Sequence, residues 1–269
     1  MTELDTIVQA IKANQNHILI NASAGSGKTY TLAYILNNGI LPKDDTLVLA
    51  FNKDAAKELN NRIPNGNIST HHAMGLKIIL SNKWKLNDIE KSEKWKCINV
   101  ANKIHGTPKD TESKSLMYKS LSVYTSVSEN LRCNAILKPT IEDIRNALYN
   151  PVVINPKYLT RFKDIDMLEN NCLAYHTACN GSKNPWGAYE VNFSDMVWYP
   201  YYFDMAVPKY KYLLIDEVQD YSPLFLAVIE KFLKQGTRII AVGDTYQSIY
   251  GWRGAIKAMD KLKDLLNRY

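Results

Sequence analysis

The stretch that decides the fold is Ile18-Leu19-Ile20-Asn21-Ala22-Ser23-Ala24-Gly25-Ser26-Gly27-Lys28-Thr29. It begins as a short apolar run, passes through small residues and glycines, and leads into a segment with apolar residues at Leu32, Ile35 and Leu36. An apolar run before a glycine-rich turn predicts a buried strand. The spacing of the apolar residues that follow predicts a helix. Strand, glycine-rich turn and helix in this order predict a phosphate-binding loop.

This loop carries the residue types that binding a triphosphate requires. Residues 22–29 have the Walker A spacing, with Ala22 in the place of the first glycine. Glycines here let backbone N–H groups reach phosphate oxygens without a Cβ in the way. We expect Lys28 to neutralise the β- and γ-phosphates of ATP, and the Thr29 hydroxyl to bind Mg²⁺. The residues predicted to contact the nucleotide are Ala24, Gly25, Ser26, Gly27, Lys28 and Thr29. The alternative is a chance turn before a lysine, and the flanking strand and helix argue against it.

The rest of the chain predicts an α/β fold with an insertion. Apolar runs at 46–50, 212–215 and 238–242 alternate with helical patterns at 54–62 and 222–234. This alternation is typical of a parallel sheet covered on both faces. Residues 82–211 instead show mostly helical patterns, punctuated by prolines. We predict a parallel-sheet domain made of residues 1–81 and 212–269, interrupted by a mainly helical insertion at 82–211.

Composition excludes several classes of protein. No apolar run approaches the length of a transmembrane helix, so no membrane partner is expected. The first residues are acidic, unlike a signal peptide, and four scattered cysteines suggest reduced thiols. A cytoplasmic location, or one at the nucleoid or a viral replication site, is expected rather than secretion. The net charge of +6 mildly favours an anionic partner.

Two carboxylates follow the predicted strand at 212–215. They are Asp216 and Glu217. Ligands of open α/β sheets bind at the carboxyl ends of strands, so we expect Asp216 to hold Mg²⁺ and Glu217 to activate the attacking water. Taken alone, a solvated acid pair at a strand end is the better interpretation. The phosphate loop elsewhere in the chain reverses that preference, because an ATPase needs a phosphate cradle, a metal carboxylate and a base.

The strand predicted at 238–242 leads into a polar and aromatic turn. In it, Gln247 is a candidate sensor of the γ-phosphate, and Arg253 a candidate partner of phosphate or of an acid. Tyr250 and Trp252 offer flat faces for stacking bases, each worth about 1–3 kcal/mol. The alternative for both rings is packing in the core.

Together these blocks resemble the UvrD/Rep branch of superfamily 1 DNA helicases. The resemblance rests on Ala24-Gly25-Ser26-Gly27-Lys28-Thr29, Asp216-Glu217-Val218-Gln219-Asp220, Gly243-Asp244, Gln247-Ser248-Ile249-Tyr250 and Trp252-Arg253-Gly254-Ala255. Weaker similarities are Phe51-Asn52-Lys53 to motif Ia, Thr70-His71-His72-Ala73-Met74-Gly75 to the T-x-H-x-x-G block, and Phe193-Ser194-Asp195-Met196 to a short D-F-x-D-L-like stretch. The order and spacing of the blocks also agree with that family.

The resemblance implies a fold and an activity. It implies a RecA-like subdomain 1A on the flanks, with subdomain 1B as the insertion. It implies ATP-driven movement 3′ to 5′ along single-stranded DNA, and separation of duplexes. By the same resemblance, Asn52 and His72 join Tyr250, Trp252 and Arg253 as DNA-binding residues.

Two departures from the family pattern stand out. The glutamine that reads adenine does not align cleanly; Ile7 occupies its offset, and Gln9 is the candidate two residues on. The chain ends at Tyr269, before any second RecA-like domain or motifs IV, V and VI. Since an arginine finger is worth about 10³–10⁵ in turnover, we expect half a motor, with a second lobe or helicase subunit as a partner in trans.

Two further patterns have a functional and a structural interpretation. Lysines alternate with Trp84 and Trp95, as in a groove that follows a nucleic-acid strand. Their spacing predicts that both rings lie on one helix face, and the alternative is an amphipathic helix with tryptophans inward and lysines solvated. Cys172, His176 and Cys179 lack the paired spacing of a metal site, so we interpret them as core residues.

The sequence alone is compatible with three functions. The first is the ATP-binding half of a DNA helicase. The second is a non-motor protein that binds DNA or a helicase partner and regulates it, although the intact base Glu217 argues against a purely degenerate site. The third, a P-loop kinase or other small-molecule NTPase, leaves the block from Gln247 to Ala255 unexplained.

Overall fold

A computed structural model describes residues 2–13, 16–23, 25–246 and 257–269. The chain divides into two compact units. The sheet unit comprises Met1–Ile78 and Ala206–Tyr269, and the helical unit comprises Ile79–Met205. None of the helices in the described ranges is long and apolar enough to span a membrane.

The sheet unit is built on five parallel strands. They are β1 (Ile18–Asn21), β2 (Thr46–Ala50), β3 (Asn67–Thr70), β4 (Tyr212–Ile215) and β5 (Arg238–Gly243), in the spatial order β1-β5-β4-β2-β3. Residues of β2 and β5 are buried along the whole strand, as expected for strands covered on both faces. The predicted α/β fold with a parallel sheet is confirmed. Strand β3 was not predicted, because its polar sequence contains no apolar run.

Helices fill the connections between the strands and make up the intervening region. In chain order they are α1 (Glu3–Ala13), α2 (Lys28–Asn37), α3 (Lys53–Arg62), α4 (His71–Ser81), α5 (Ile89–His105), α6 (Thr111–Cys133), α7 (Ile141–Leu148), α8 (Pro156–Leu159), α9 (Ile165–Cys179), α10 (Phe193–Tyr202), α11 (Pro223–Leu233) and α12 (Ala258–Leu266). A short 3₁₀ turn spans Val218–Asp220.

One face of the sheet carries the apolar sides of the first three helices. Ile11 of α1, Leu32 of α2 and Leu59 of α3 belong to one cluster with Leu214 and Ile240 of the central strands. All five side chains are nearly or fully buried. This burial fixes α2, and with it the glycine-rich loop from which α2 begins.

The helical unit has a core of its own. Helices α5, α6, α7 and α9 contribute Val100, Val127, Ile144 and Cys172 to one cluster. Side-chain caps mark the beginnings of these helices; Asp110 and Thr140 each form a capping box with the residue three positions on. Local capping and a shared apolar cluster therefore both support this arrangement.

The prediction for the two tryptophans is wrong. Helix α5 begins at Ile89, after Trp84, so the rings do not share a helix face. Trp84 instead stacks on Tyr189, with 3.8 Å between ring centroids, while Trp95 lies on α5 and is 47% exposed. The solvated-lysine alternative fails at Lys96, which is 1% exposed because it pairs with buried Asp195.

The interpretation of the cysteines as core residues is confirmed. All four are free thiols, and Cys172 and Cys179 are buried. Burial raises the pKa of the Cys172 thiol to about 12. Within the described ranges, no three His, Cys, Asp or Glu side chains are grouped so that they could hold a metal ion.

Candidate active site

The candidate site lies at one edge of the sheet. Because all five strands are parallel, their carboxyl ends meet at the same edge. The glycine-rich loop follows β1, Asp244 follows β5, and Asp216 and Glu217 follow β4. These three strands are neighbours in the sheet, so residues far apart in sequence come together.

The loop after β1 has the backbone of a phosphate cradle. Gly25 and Gly27 have φ angles of 72° and 85°, in the left-handed region that glycine adopts without strain. Helix α2 begins at Lys28, directly after Gly27. Unpaired N–H groups of the first helical turn therefore lie beside the loop, where they attract anions. Ala24 lies outside the described residues.

Two contacts join the loop to the acidic turn. Lys28 Nζ lies 2.9 Å from Glu217 Oε2, with the lysine side chain 7% exposed and the glutamate side chain 32% exposed. The Thr29 hydroxyl donates to Asp216 Oδ2 at 3.2 Å. Lys28, which is proposed to bind the phosphates, thus contacts Glu217, the proposed base. Thr29, a proposed metal ligand, contacts Asp216, the other proposed metal ligand.

Gln219 orients the Glu217 carboxylate, and it is a residue to which the sequence patterns assigned no role. Its Nε2 donates to Glu217 Oε2 at 2.6 Å, and its Oε1 accepts from the Asp244 backbone N–H at 2.9 Å. A Cβ at Gly243 would lie 2.9 Å from that same Oε1, so the glycine leaves room for the amide. The amide therefore links the residue that follows β5 to the Glu217 carboxylate that follows β4. The position of Gln219 within the acidic block was the signal that could have revealed this.

The acidic turn contains a carboxyl group with a raised pKa and a residue with an unfavourable backbone conformation. Burial, followed by the nearby Glu217 carboxylate, raises the pKa of Asp216 to about 6. Glu217 itself has φ 52° and ψ 49°, a left-handed conformation that costs a non-glycine residue about 1–2 kcal/mol. Strain of this kind is found where the surrounding structure fixes a side chain for function.

The residues present fit Mg²⁺ and a triphosphate. A divalent cation would stabilise the ionised form of the Asp216 carboxylate, which is buried beside a second carboxylate. The Thr29 hydroxyl would add a further oxygen ligand. Lys28 supplies a buried cation at the beginning of α2. Thr29 and Asp216 would hold the metal, and Lys28 with the loop N–H groups would hold the phosphates.

The remaining predicted site residues that the structure describes lie on or next to other elements of the chain. Gln9 lies on α1 with an exposed side chain, and no hydrogen bond among the described residues joins it to the phosphate loop. Asn52 caps α3 by accepting the Ala55 N–H at 2.8 Å, and it follows the carboxyl end of β2. His72 follows β3 and is half-buried, with its ring 6.1 Å from that of Phe225. The predicted residues Gln247, Tyr250, Trp252 and Arg253 lie outside the described residues.

His71, the neighbour of His72, is the more deeply placed histidine. Its ring stacks on Phe225 with centroids 4.2 Å apart and meets the edge of Tyr221 at 4.3 Å. Burial lowers the pKa of His71 to about 3, so the imidazole is neutral at physiological pH. Tyr221 comes one residue after the 3₁₀ turn that begins beyond Glu217. Ring packing therefore connects the start of α4 with the acidic turn.

A parallel sheet with a glycine loop at one strand end and an acid pair at a nearby strand end defines a P-loop domain of the α/β class. A model of the UvrD/REP helicase N-terminal domain matches residues 5–266. The chain belongs to this family, as its resembling blocks predicted.

Curated relatives agree with the family. The chain is 27% identical over 267 residues to DNA helicase II of Rickettsia typhi, covering 88% of this chain and 36% of the relative. It is 25% identical to F-box DNA helicase protein 1 of Schizosaccharomyces pombe, over 95% of this chain and 28% of the relative. It is 24% identical to the ATP-dependent DNA helicase PcrA of Staphylococcus aureus, over 92% of this chain and 34% of the relative. The chain thus spans about a third of the length of these relatives.

Proposed function

We propose that this chain is the ATP-binding motor half of a DNA helicase, which binds and hydrolyses ATP with Mg²⁺ and contacts single-stranded DNA. The observation that carries the proposal is the pairing of Lys28 with Glu217 beside that of Thr29 with Asp216. This pairing supports the roles proposed for Lys28 on the phosphates, for Thr29 and Asp216 on the metal, and for Glu217 as the base. The family of the chain supports the assignment of these groups to ATP hydrolysis.

Each residue has one role in the proposed reaction. The loop N–H groups and Lys28 bind the phosphates, and Thr29 and Asp216 orient the metal. Mg²⁺, held by Thr29 and Asp216, would neutralise charge that develops on the phosphate oxygens. Glu217 takes a proton from the attacking water, and Gln219 orients that carboxylate through its 2.6 Å hydrogen bond. Gln247 is proposed to contact the γ-phosphate.

The family to which the chain belongs supports the DNA contacts that we propose. We assign Tyr250 and Trp252 to base stacking, and Asn52, His72 and Arg253 to the strand itself. Asn52 and His72 follow the carboxyl ends of β2 and β3, at the sheet edge that also carries the nucleotide residues. The proposed direction of movement is 3′ to 5′.

The two units correspond to two proposed subdomains. We assign the sheet unit to the RecA-like subdomain 1A and the helical unit to 1B. The unit boundaries at 78/79 and 205/206 differ by a few residues from the boundaries at 81/82 and 211/212 expected from sequence. A second RecA-like lobe, supplied by further sequence or by a separate chain, is proposed to complete the ATP site with an arginine. Closure of two lobes around ATP is what converts hydrolysis into movement.

The experiment that tests this function measures ATP turnover by residues 1–269 with and without single-stranded DNA. Glu217→Gln serves as the blank, because it keeps the shape of the side chain and removes the base. DNA-stimulated turnover above the blank supports a working site. Nucleotide binding without turnover supports a half-site that needs its second lobe. A chain that binds DNA but neither binds nor hydrolyses ATP would instead support the non-motor regulatory function.

A further inference from the structure

Two isolated β-bridges inside the helical unit lie among basic and aromatic residues. Tyr189 forms a parallel bridge with Leu86 and an antiparallel bridge with Lys183. Its N–H donates to the Lys85 carbonyl, and its carbonyl accepts from Asn87, both at 2.9 Å. Residues just before α5 and just after α9 are therefore held side by side.

Trp186 lies at the tip of the turn between the bridged residues Lys183 and Tyr189. The ring is 81% exposed, which is unusual for so large an apolar side chain. Asn184 fixes the turn, because its Oδ1 accepts from the N–H groups of Trp186 and Ala188, both at 3.0 Å. The backbone closes the turn with a further bond from Asn184 N–H to the Ala188 carbonyl at 2.9 Å. A rigid turn therefore holds a flat apolar ring out in solvent.

Exposed lysines lie next to these bridges in sequence or contact their residues. Lys83 and Lys85 flank Trp84, which stacks on Tyr189. Lys183 Nζ lies 4.3 Å from the centre of the Tyr189 ring, and Lys103 Nζ donates to the Lys183 carbonyl at 3.5 Å. We call Lys83, Lys85, Lys103, Lys183 and Trp186 the basic-aromatic surface.

The positive charge of this surface is not neutralised within the described part of the chain. None of its four lysines has a carboxylate within ion-pair distance there. The neighbouring acid, Glu190, is 4% exposed, and its two oxygens accept from Asn99 at 3.0 Å and Ser182 at 2.7 Å. The acid therefore faces inward and the lysines face solvent.

We propose that the basic-aromatic surface is a second single-stranded DNA site, with Trp186 stacked on an unpaired base and the lysines on the adjoining phosphates. Every base offers a face to an aromatic ring, and lysines gain affinity by releasing counterions from the backbone. The rigid turn lowers the entropy lost when the ring is buried against a base. The inference rests on the proposed function only in that the chain acts on DNA, and it uses none of the residues assigned there.

The test measures affinity for labelled oligothymidine and for a blunt duplex of equal length, by fluorescence anisotropy without nucleotide at several salt concentrations. The variants are Trp186→Ala and the double variant Lys85→Gln/Lys183→Gln in the full chain. Their matched controls are Trp95→Ala, which removes another exposed tryptophan of the same unit, and Lys157→Gln/Lys163→Gln, which removes two exposed lysines.

Trp186→Ala is expected to weaken binding to the single strand about 5- to 150-fold, the range for one lost base stack. The double lysine variant is expected to reduce the slope of log affinity against log salt by about 1.4, since each phosphate contact contributes about 0.7. Both controls should bind like the unaltered chain.

Three outcomes would overturn the inference. Unchanged affinity of both variants, with normal binding by the unaltered chain, overturns this site alone and leaves the proposed function standing. A loss confined to the duplex overturns the assignment of an unpaired base to Trp186. Absence of DNA binding by the unaltered chain overturns this site and the proposed DNA contact together, whereas ATP binding is measured separately.

Discussion

Lys28 Nζ and Glu217 Oε2 form an ion pair at 2.9 Å, across the gap between the phosphate loop and the acidic turn. The pair joins the cation proposed for the phosphates to the carboxylate proposed for the water. An anionic phosphate that approaches Lys28 would also approach the Glu217 carboxylate, so repulsion between the two anions favours release of Glu217 from the ammonium. Release of the carboxylate by an arriving nucleotide would leave it held by Gln219 and free to accept a proton.

Removing the ammonium should therefore weaken nucleotide binding. Lys28→Ala is expected to lower the affinity for Mg-ATP about 10- to 100-fold, because a hydrogen bond to a charged group contributes about 1.5–3 kcal/mol. Isothermal titration calorimetry measures the affinity. Lys53→Ala is the matched control, since Lys53 is the first residue of α3 as Lys28 is of α2. Equal affinities of Lys28→Ala and the unaltered chain would refute the phosphate-loop assignment.

Gln219 should affect turnover more than binding. Gln219→Ala removes the hydrogen bonds to Glu217 and to the Asp244 N–H, so the proposed base loses its fixed orientation. Turnover is expected to fall about 10- to 100-fold, the usual cost of a misplaced catalytic group. The affinity for Mg-ATP should change little, because Gln219 contacts neither proposed phosphate nor metal ligands.

The control for this experiment is Gln235→Ala. Gln235 also lies in the sheet unit, and its amide donates to the Val207 carbonyl at 3.1 Å rather than to a site residue. It should leave turnover per folded molecule unchanged. A drop in affinity as large as the drop in turnover for Gln219→Ala would contradict a role in orienting the base.

Sequence patterns located the sheet well and the buried charges poorly. The predicted bounds of β2 and β4 agree with the structure, because short apolar runs act locally. Strand β3 was missed since its residues are polar and half-buried. The contact of Lys28 with Glu217 depends on strand order, which no local pattern contains. Lys96 resembled its solvated neighbours, and only the distant partners Asp195 and Tyr199 explain its burial.

The buried charges of the helical unit should be essential for its stability. Asp195 accepts from Lys96 Nζ at 2.6 Å and from an Arg132 guanidinium nitrogen at 3.0 Å, and all three side chains are 5% exposed or less. Asp195→Ala would leave two buried cations without their carboxylate. We expect the free energy of unfolding to fall by about 3–5 kcal/mol, measured by urea denaturation.

An exposed ion pair provides the comparison. Lys211 and Asp45 are 2.6 Å apart, but their side chains are 71% and 40% exposed. Asp45→Ala should shift the urea midpoint very little, because water screens such a pair. If the two substitutions had equal effects, the buried cluster would not be the source of stability proposed for it.

Stability should fall in mild acid because of His176. Its Nδ1 lies 3.0 Å from Ser128 Oγ, and burial, with a smaller effect of Arg132, lowers the pKa of the imidazole to about 3. An unfolded histidine has a pKa near 6.5, so below that pH the unfolded chain takes up a proton that the folded chain refuses. The free energy of unfolding therefore decreases as pH falls from 6.5 towards 3, by about 1.4 kcal/mol per pH unit from this residue.

Urea denaturation from pH 7.5 to 4.5 should show that His176→Gln loses less stability per pH unit than the unaltered chain. Ser128→Ala keeps the imidazole and removes its partner, so its curve should run parallel to that of the unaltered chain at lower stability. Equal slopes for His176→Gln and the unaltered chain would show that the imidazole is not held neutral by the fold.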